Sequence, residues 1–235
     1  MKQAVDMLRR LLPATSLLAL ALAATAAHAA LRSPQIPVSG TALQAFFTSQ
    51  GQAINVSTDQ VDLQTVSFPA GATLEIHVAF VDPGSSTFGL YNAGFAIPPL
   101  YQIFPGAATN GWFAMASFRT APTRVVVSLF DASSAFQGSV TYLSGPPDPA
   151  YMGLYLQQSP AAGGLTFYSQ DPRNGGARLL AFNGTGTRAG ATWLAWETGA
   201  GPGGDFADSI WLFPYAFAPV PVSHTDWGML KSRFR

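Results

Sequence analysis

From residue 74 the chain reads LEIHVAFV, in which alternate positions differ in polarity. Leu74, Ile76, Val78 and Phe80 fall on one face of a strand and Glu75, His77, Ala79 and Val81 on the other. Comparable runs over Val61–Phe68, Trp112–Phe118, Val125–Asp131, Ser139–Leu143, Met152–Gln157, Leu165–Ser169, Ala177–Phe182, Ala191–Glu197 and Ser209–Phe217 are separated by Gly, Pro and Asn turns. Many short strands at this spacing predict an all-β fold, an antiparallel, jelly-roll-like β-sandwich. The period changes once. In GTALQAFFTSQGQ, Leu43, Phe46 and Phe47 share a helical face, with Thr41 placed as N-cap and Gly51 as stop, so one short N-terminal helix is expected.

Composition agrees with strands and tight turns. Of 235 residues, 23 are Gly and 18 Pro, while only 10% are charged. The first 29 residues have a different character. Lys2, Arg9 and Arg10 precede an apolar run, Leu11 to Ala27, that ends in Ala27-His28-Ala29, the pattern of a secretory signal peptide with a small-residue cleavage site. The run is short for a bilayer span, so the expectation is export of a mature chain beginning at Ala30 and lacking a transmembrane segment. One sandwich domain is expected over residues 30–218. Residues 219–235, where Pro219 and Pro221 halt the last strand before Trp227, Lys231, Arg233 and Arg235, read as a mobile basic-aromatic tail, either a docking or sorting element or a plain chain end.

Without the signal segment the chain carries 9 basic and 11 acidic groups and no basic stripe, which argues against a nucleic-acid partner. The absence of cysteine excludes disulfides, thiol chemistry and thiolate metal sites. An internal echo runs at an offset of 64 residues. Gly89-Leu90-Tyr91 matches Gly153-Leu154-Tyr155, Asn110-Gly111 matches Asn174-Gly175, Phe118 matches Phe182, and Thr123-Arg124 matches Thr187-Arg188.

Candidate chemistry is sparse. His77 is the one histidine within the domain, and with Glu75 on the same strand face it forms either a proton-transfer pair or a solvated one. Neither a GxSxG elbow nor a P-loop occurs. Glu75 and Glu197 are the only glutamates, so a glycosidase reading would have to pair these two carboxylates. Trp112, Trp193, Trp196 and Trp211 are either core residues or sugar-stacking platforms, with Trp196 and Trp211 the candidate ligand contacts. The sequons at Asn55 and Asn183 are too common a pattern to carry weight.

The densest acidic stretch is WETGAGPGGDFADSIWLF, residues 196–213, where Glu197, Asp205 and Asp208 flank a glycine-rich loop. Hard oxygen ligands converging on one turn would suit calcium. The alternative has Asp205 closing an Asx-turn and Asp208 protecting a strand edge.

FGLYN (88–92), MGLYL (152–156), LTFYSQDPRNGG (165–176), RLLAFNG (178–184) and the acidic stretch follow in the order of motifs in the bacterial secreted family called domain of unknown function 4114, which the chain resembles over about residues 74–213. That resemblance implies a secreted protein in which Glu197, Asp205 and Asp208 occupy acidic-loop positions suited to calcium. The chain departs from the pattern at Ala207, where asparagine is usual, and at Gly203 and Gly204, where a further aspartate is common, so a depleted, weak site is implied. It also lacks the PEP-CTERM sorting segment with which the family often ends. The leading expectation is therefore an exported, non-enzymatic module of a cell surface or matrix, with an envelope or matrix component, such as a polysaccharide, as its partner. The rivals are a two-carboxylate carbohydrate-active enzyme and a tryptophan-based sugar binder.

Overall fold

The computed structural model describes residues 30–69, 71–81, 86–120, 123–143, 148–199, 204–214 and 218–219. The expected signal segment and, apart from Pro219, the expected tail lie outside the described residues. The chain forms a two-sheet antiparallel sandwich, as the alternation predicts. Its strands are β1 (Gln60–Val61), β2 (Val66–Ser67), β3 (Thr73–Val81), β4 (Ser86–Asn92), β5 (Leu100–Phe104), β6 (Phe113–Thr120), β7 (Thr123–Phe130), β8 (Phe136–Tyr142), β9 (Met152–Gln158), β10 (Thr166–Tyr168), β11 (Leu179–Asn183), β12 (Thr192–Trp196), β13 (Ser209–Phe213) and β14 (Ala218–Pro219). Two helices, α1 (Ala42–Ser49) and α2 (Asp171–Asn174), decorate it. The larger sheet has the order β1-β11-β12-β13-β3-β6-β7-β8, and the smaller β14-β2-β9-β4-β5 with β10 added beside β9. No described helix is long and apolar enough to cross a membrane.

Between the sheets lies the main core. Phe88, from the smaller sheet, stacks on Trp211 at 4.3 Å and meets Trp196 edge-on at 6.4 Å, while Phe68 stacks on Phe118 at 4.6 Å. Each such aromatic removes about 150–250 Å² from water, on the order of 4–6 kcal/mol at about 25 cal/mol per Å². A second core covers the outer face of β11, β12 and β13. There α1 and the segment after it lay Leu43, Phe47, Ile54 and Val56 on Leu180, Phe182, Trp193, Ala195, Ile210 and Leu212. These three strands are consequently apolar on both faces, whereas the outer face of β6 and β8 is largely exposed.

Several expectations need correction. Val61–Phe68 is not one strand: β1 belongs to the larger sheet and β2 to the smaller, and the chain crosses between them over residues 62–65. The alternation of LEIHVAFV breaks at its end. Ile210 pairs with Phe80 but Trp211 with Val78, so Ala79 is an extra, bulged residue. Beyond it the parity flips, placing Phe80 against the outer core and Val81 in the main one. β4 and β5 were not among the expected strands, because β4 is almost continuously buried and β5 is bracketed by Pro98, Pro99 and Pro105. The helix forms where its spacing placed it, although the Thr41 side chain makes no capping bond; Gly51, with φ 66°, ends it.

The 64-residue echo has a partial structural counterpart. Its two GLY-type motifs are neighbours in the smaller sheet, paired as Gly89 with Tyr155, Leu90 with Leu154 and Tyr91 with Gly153 about a local two-fold. Each tyrosine ring occupies the place where a Cβ on the opposite glycine would stand. The Asn-Gly pairs also correspond. Asn110 Oδ1 accepts the Val81 amide and Asn174 Oδ1 the Tyr168 amide, and each following glycine has positive φ. Phe118 and Phe182 face opposite sides of the larger sheet, so the equivalence does not extend through the whole unit.

Candidate functional site

The acidic stretch joins β12 to β13, and its carboxylates are turned onto the loop itself. Glu197, only 7% exposed, accepts the Gly199 amide at 2.6 Å on Oε1 and the Phe206 amide at 3.2 Å on Oε2. Its carboxylate lies against the α-carbon of Gly204, where any Cβ would collide with it, so a larger residue there would displace the glutamate. Asp208 Oδ2 accepts both the amide (2.7 Å) and the hydroxyl (2.8 Å) of Thr198, fastening the two ends of the loop together. Asp205 Oδ1 accepts the Ala207 amide at 3.0 Å, an Asx-turn. Between them Phe206 takes φ 54°, rare for a bulky residue, and buries its ring in the second core. Three carboxylates thus hold five donors of their own loop. Among the described residues, no group of three or more His, Asp or Glu side chains is placed to hold a metal ion.

The same loop contains Gly199, Gly201 and Gly204, the spacing of a dinucleotide-binding turn. That turn acts by aiming a helix N-terminus at a pyrophosphate, whereas here the loop leads from one antiparallel strand into the next.

Trp196 and Trp211, the candidate ligand contacts, are fully buried between the sheets and present no face to a ligand. Trp193 and Trp196 are three residues apart on β12 and so point to opposite sides of the sheet. Both sides are covered, so Trp193 packs on Phe46 and Phe47 of α1. The proposed platforms are core residues, and Trp112 packs against the main core as well.

Glu75 and His77 do meet, with Oε1 and Nε2 2.6 Å apart, on the half-exposed outer face of β3. His77 also stacks on Phe113, which stacks on Phe130. The two glutamates do not meet. Val81, Ser209 and Trp196 are successive cross-strand partners, and Glu75 lies six residues before Val81 on β3 while Glu197 lies just beyond Trp196. At about 3.3 Å per residue the carboxyls are roughly 20 Å apart, well beyond the roughly 5–10 Å that glycoside hydrolysis requires. On this geometry Glu75 and Glu197 are not a catalytic pair.

What the fold does assemble is a groove of about 310 Å³ at the side of the sandwich, where the smaller sheet ends at β5 and the larger continues to β8. Ile103, Val127, Leu129 and Val140 supply apolar lining and Tyr142 brings a hydroxyl to it, while Gln102, Gln137 and Ser139 border it; the register turns the Ser139 side chain to the face opposite Val127 and Val140, and Gln102 alternates with the core-facing Tyr101 and Ile103. Every lining side chain is uncharged at neutral pH. The Tyr142 hydroxyl donates to the Gln102 carbonyl at 2.8 Å, and its ring meets Tyr101 edge-on at 5.7 Å. Gln137 donates to Asp131, whose carboxylate also accepts the Ser133 and Ala135 amides and is held below the usual carboxylate range, first by the Ser133 hydroxyl. None of these residues stood out in the sequence, because an uncharged run such as FQGSVTY looks like any strand until its edge is seen to be open.

The fold and its side groove define an all-β sandwich with an uncharged lateral cleft. No protein-family model, curated protein or solved structure matches the chain significantly.

Proposed function

We propose that the chain is an exported, non-catalytic module of a bacterial cell surface or extracellular matrix, and that the β5–β8 groove binds a neutral polysaccharide. The observation that carries this reading is the lining of the groove. A sugar ring has an apolar face of C–H groups and a rim of hydroxyls, and Ile103, Val127, Leu129 and Val140 beside the Tyr142 hydroxyl and the Gln102 backbone carbonyl offer a complement to both. An anionic ligand would find no cation there, and a purely apolar one would cover the Tyr142 hydroxyl without pairing it further. Export is supported by the signal-like N-terminus and by the motif resemblance to the secreted domain of unknown function 4114. Calcium is not required in this reading, because Glu197, Asp205 and Asp208 already have backbone and hydroxyl donors.

Affinity electrophoresis through gels containing single neutral or anionic polysaccharides tests the assignment. Retardation is expected in at least one neutral gel and in no anionic gel, and it should weaken in Tyr142→Phe and Leu129→Ala variants. Retardation only by anionic polymers, or by none of a broad panel, would overturn the reading.

A further inference from the structure

The open edges of the two sheets are not protected alike. β1 is two residues long and is bridged by Leu31; β14 is two residues long and ends in Pro219; β10 is three residues long and leads into α2; β5 is bracketed by prolines. Short edges and prolines of this kind prevent edge-to-edge association. β8 has neither defence. It runs for seven residues, FQGSVTY, without charge or proline, and among the described residues it pairs with β7 alone. Phe136 (61%), Val140 (43%) and the following Leu143 (64%) are exposed along it. Its one irregularity, a bulge at Gln137 with Gly138 at φ 136°, leaves Ser139–Tyr142 regular.

We propose that β8 is a homodimerisation edge, pairing antiparallel with β8 of a second copy about a two-fold axis through Val140. Two features commit the occupant to a second copy. The segment is self-complementary in this register, since Val140 meets itself, Ser139 meets Thr141 and Gly138 meets Tyr142, so hydroxyls face hydroxyls and no like charges approach. The chain also builds a related arrangement internally, where β4 and β9 pair about Leu90–Leu154 with a tyrosine opposite a glycine one residue to either side, against two residues to either side in β8. Gly138 has open space where a Cβ would stand, as an incoming ring requires. Because the smaller sheet stops at β5, pairing would join the larger sheets into one and merge the two side grooves into a single trough floored by β7 and β8 of both copies.

Light scattering and sedimentation of the purified protein test this with two charge-patterned variants, since in the proposed register position 139 of one copy faces 141 of the other. The unaltered protein should have twice the mass of one chain. Ser139→Lys combined with Thr141→Lys sets like charges opposite one another and should yield monomers with a near-normal melting temperature. Ser139→Lys combined with Thr141→Glu sets opposite charges together and should restore the dimer. A monomeric unaltered protein at every soluble concentration, a dimer that persists in the double-lysine variant, or failure of the charge-reversed variant to reassociate would overturn the proposal.

Discussion

At the scale of single residues, the smaller sheet depends on two glycines whose missing side chains make room for tyrosines. Gly153→Ala would drive a methyl group into the Tyr91 ring, and overpacking of this kind costs about 1–3 kcal/mol; chemical denaturation should show a loss of that order, whereas in a Tyr91→Ala background, itself destabilised by the lost ring, the added loss from Gly153→Ala should be small. The same tyrosines predict alkaline sensitivity. Burial raises the Tyr91 hydroxyl to about 12 and that of Tyr101 to about 12, and Tyr155 is raised further by the same cause. A phenol with a folded pKa above its unfolded value of about 10 contributes stability that is complete below pH 10 and disappears as pH rises towards 12. The stability measured at pH 8 should therefore fall steeply above pH 10, and Tyr91→Phe should reduce the steepness. Arg173 is the hub of this region. It donates to the carbonyls of Ala93 (2.9 Å), Phe95 (2.6 Å) and Ala96 (3.2 Å) while lying over the rings of Tyr91 and Tyr168. Arg173→Ala should make the 93–97 loop, with its exposed Phe95 and Ile97, the first site of limited proteolysis.

Among the elements, the β12–β13 loop separates what the sequence showed from what it concealed. Its three carboxylates and its glycines were visible, and so was the choice between an ion site and a turn. Their direction was not visible, because it depends on Phe206 entering a second core that exists only once α1 has folded over the sheet. If the loop is held by its own donors, melting curves in millimolar calcium and in chelator should coincide, since a ligand that does not bind the native state adds no stability. Glu197→Ala should still destabilise, by about 1–3 kcal/mol for each buried amide left unpaired, and calcium should not restore the loss. A calcium-dependent rise abolished by Asp205→Ala would instead reinstate the ion site. The strand pattern was legible wherever one face is exposed, as on β3 up to Ala79. It failed at the bulge and at β4, where burial on both faces removes the alternation that marks a strand.

Across the whole molecule, the unequal lengths of the two sheets matter more than any single motif. The larger sheet is covered by α1 on one half of its outer face and extends past the smaller sheet at the other end, and that overhang creates the groove. The sequence carried the composition of the groove without its location, since Gln102 and Ser139 are distant in the chain and are brought together by the order of strands. The central claim, that this groove is the binding site, is tested most directly by amide chemical-shift mapping during titration with a soluble neutral polysaccharide that retards the protein in gels. The account predicts that the largest shifts fall on Gln102, Ile103, Val127 and the residues from Gln137 to Tyr142, with Gly199, Phe206 and α1 unmoved. Saturable binding with shifts confined to the β12–β13 loop or to α1, and none along β5 and β8, would contradict it.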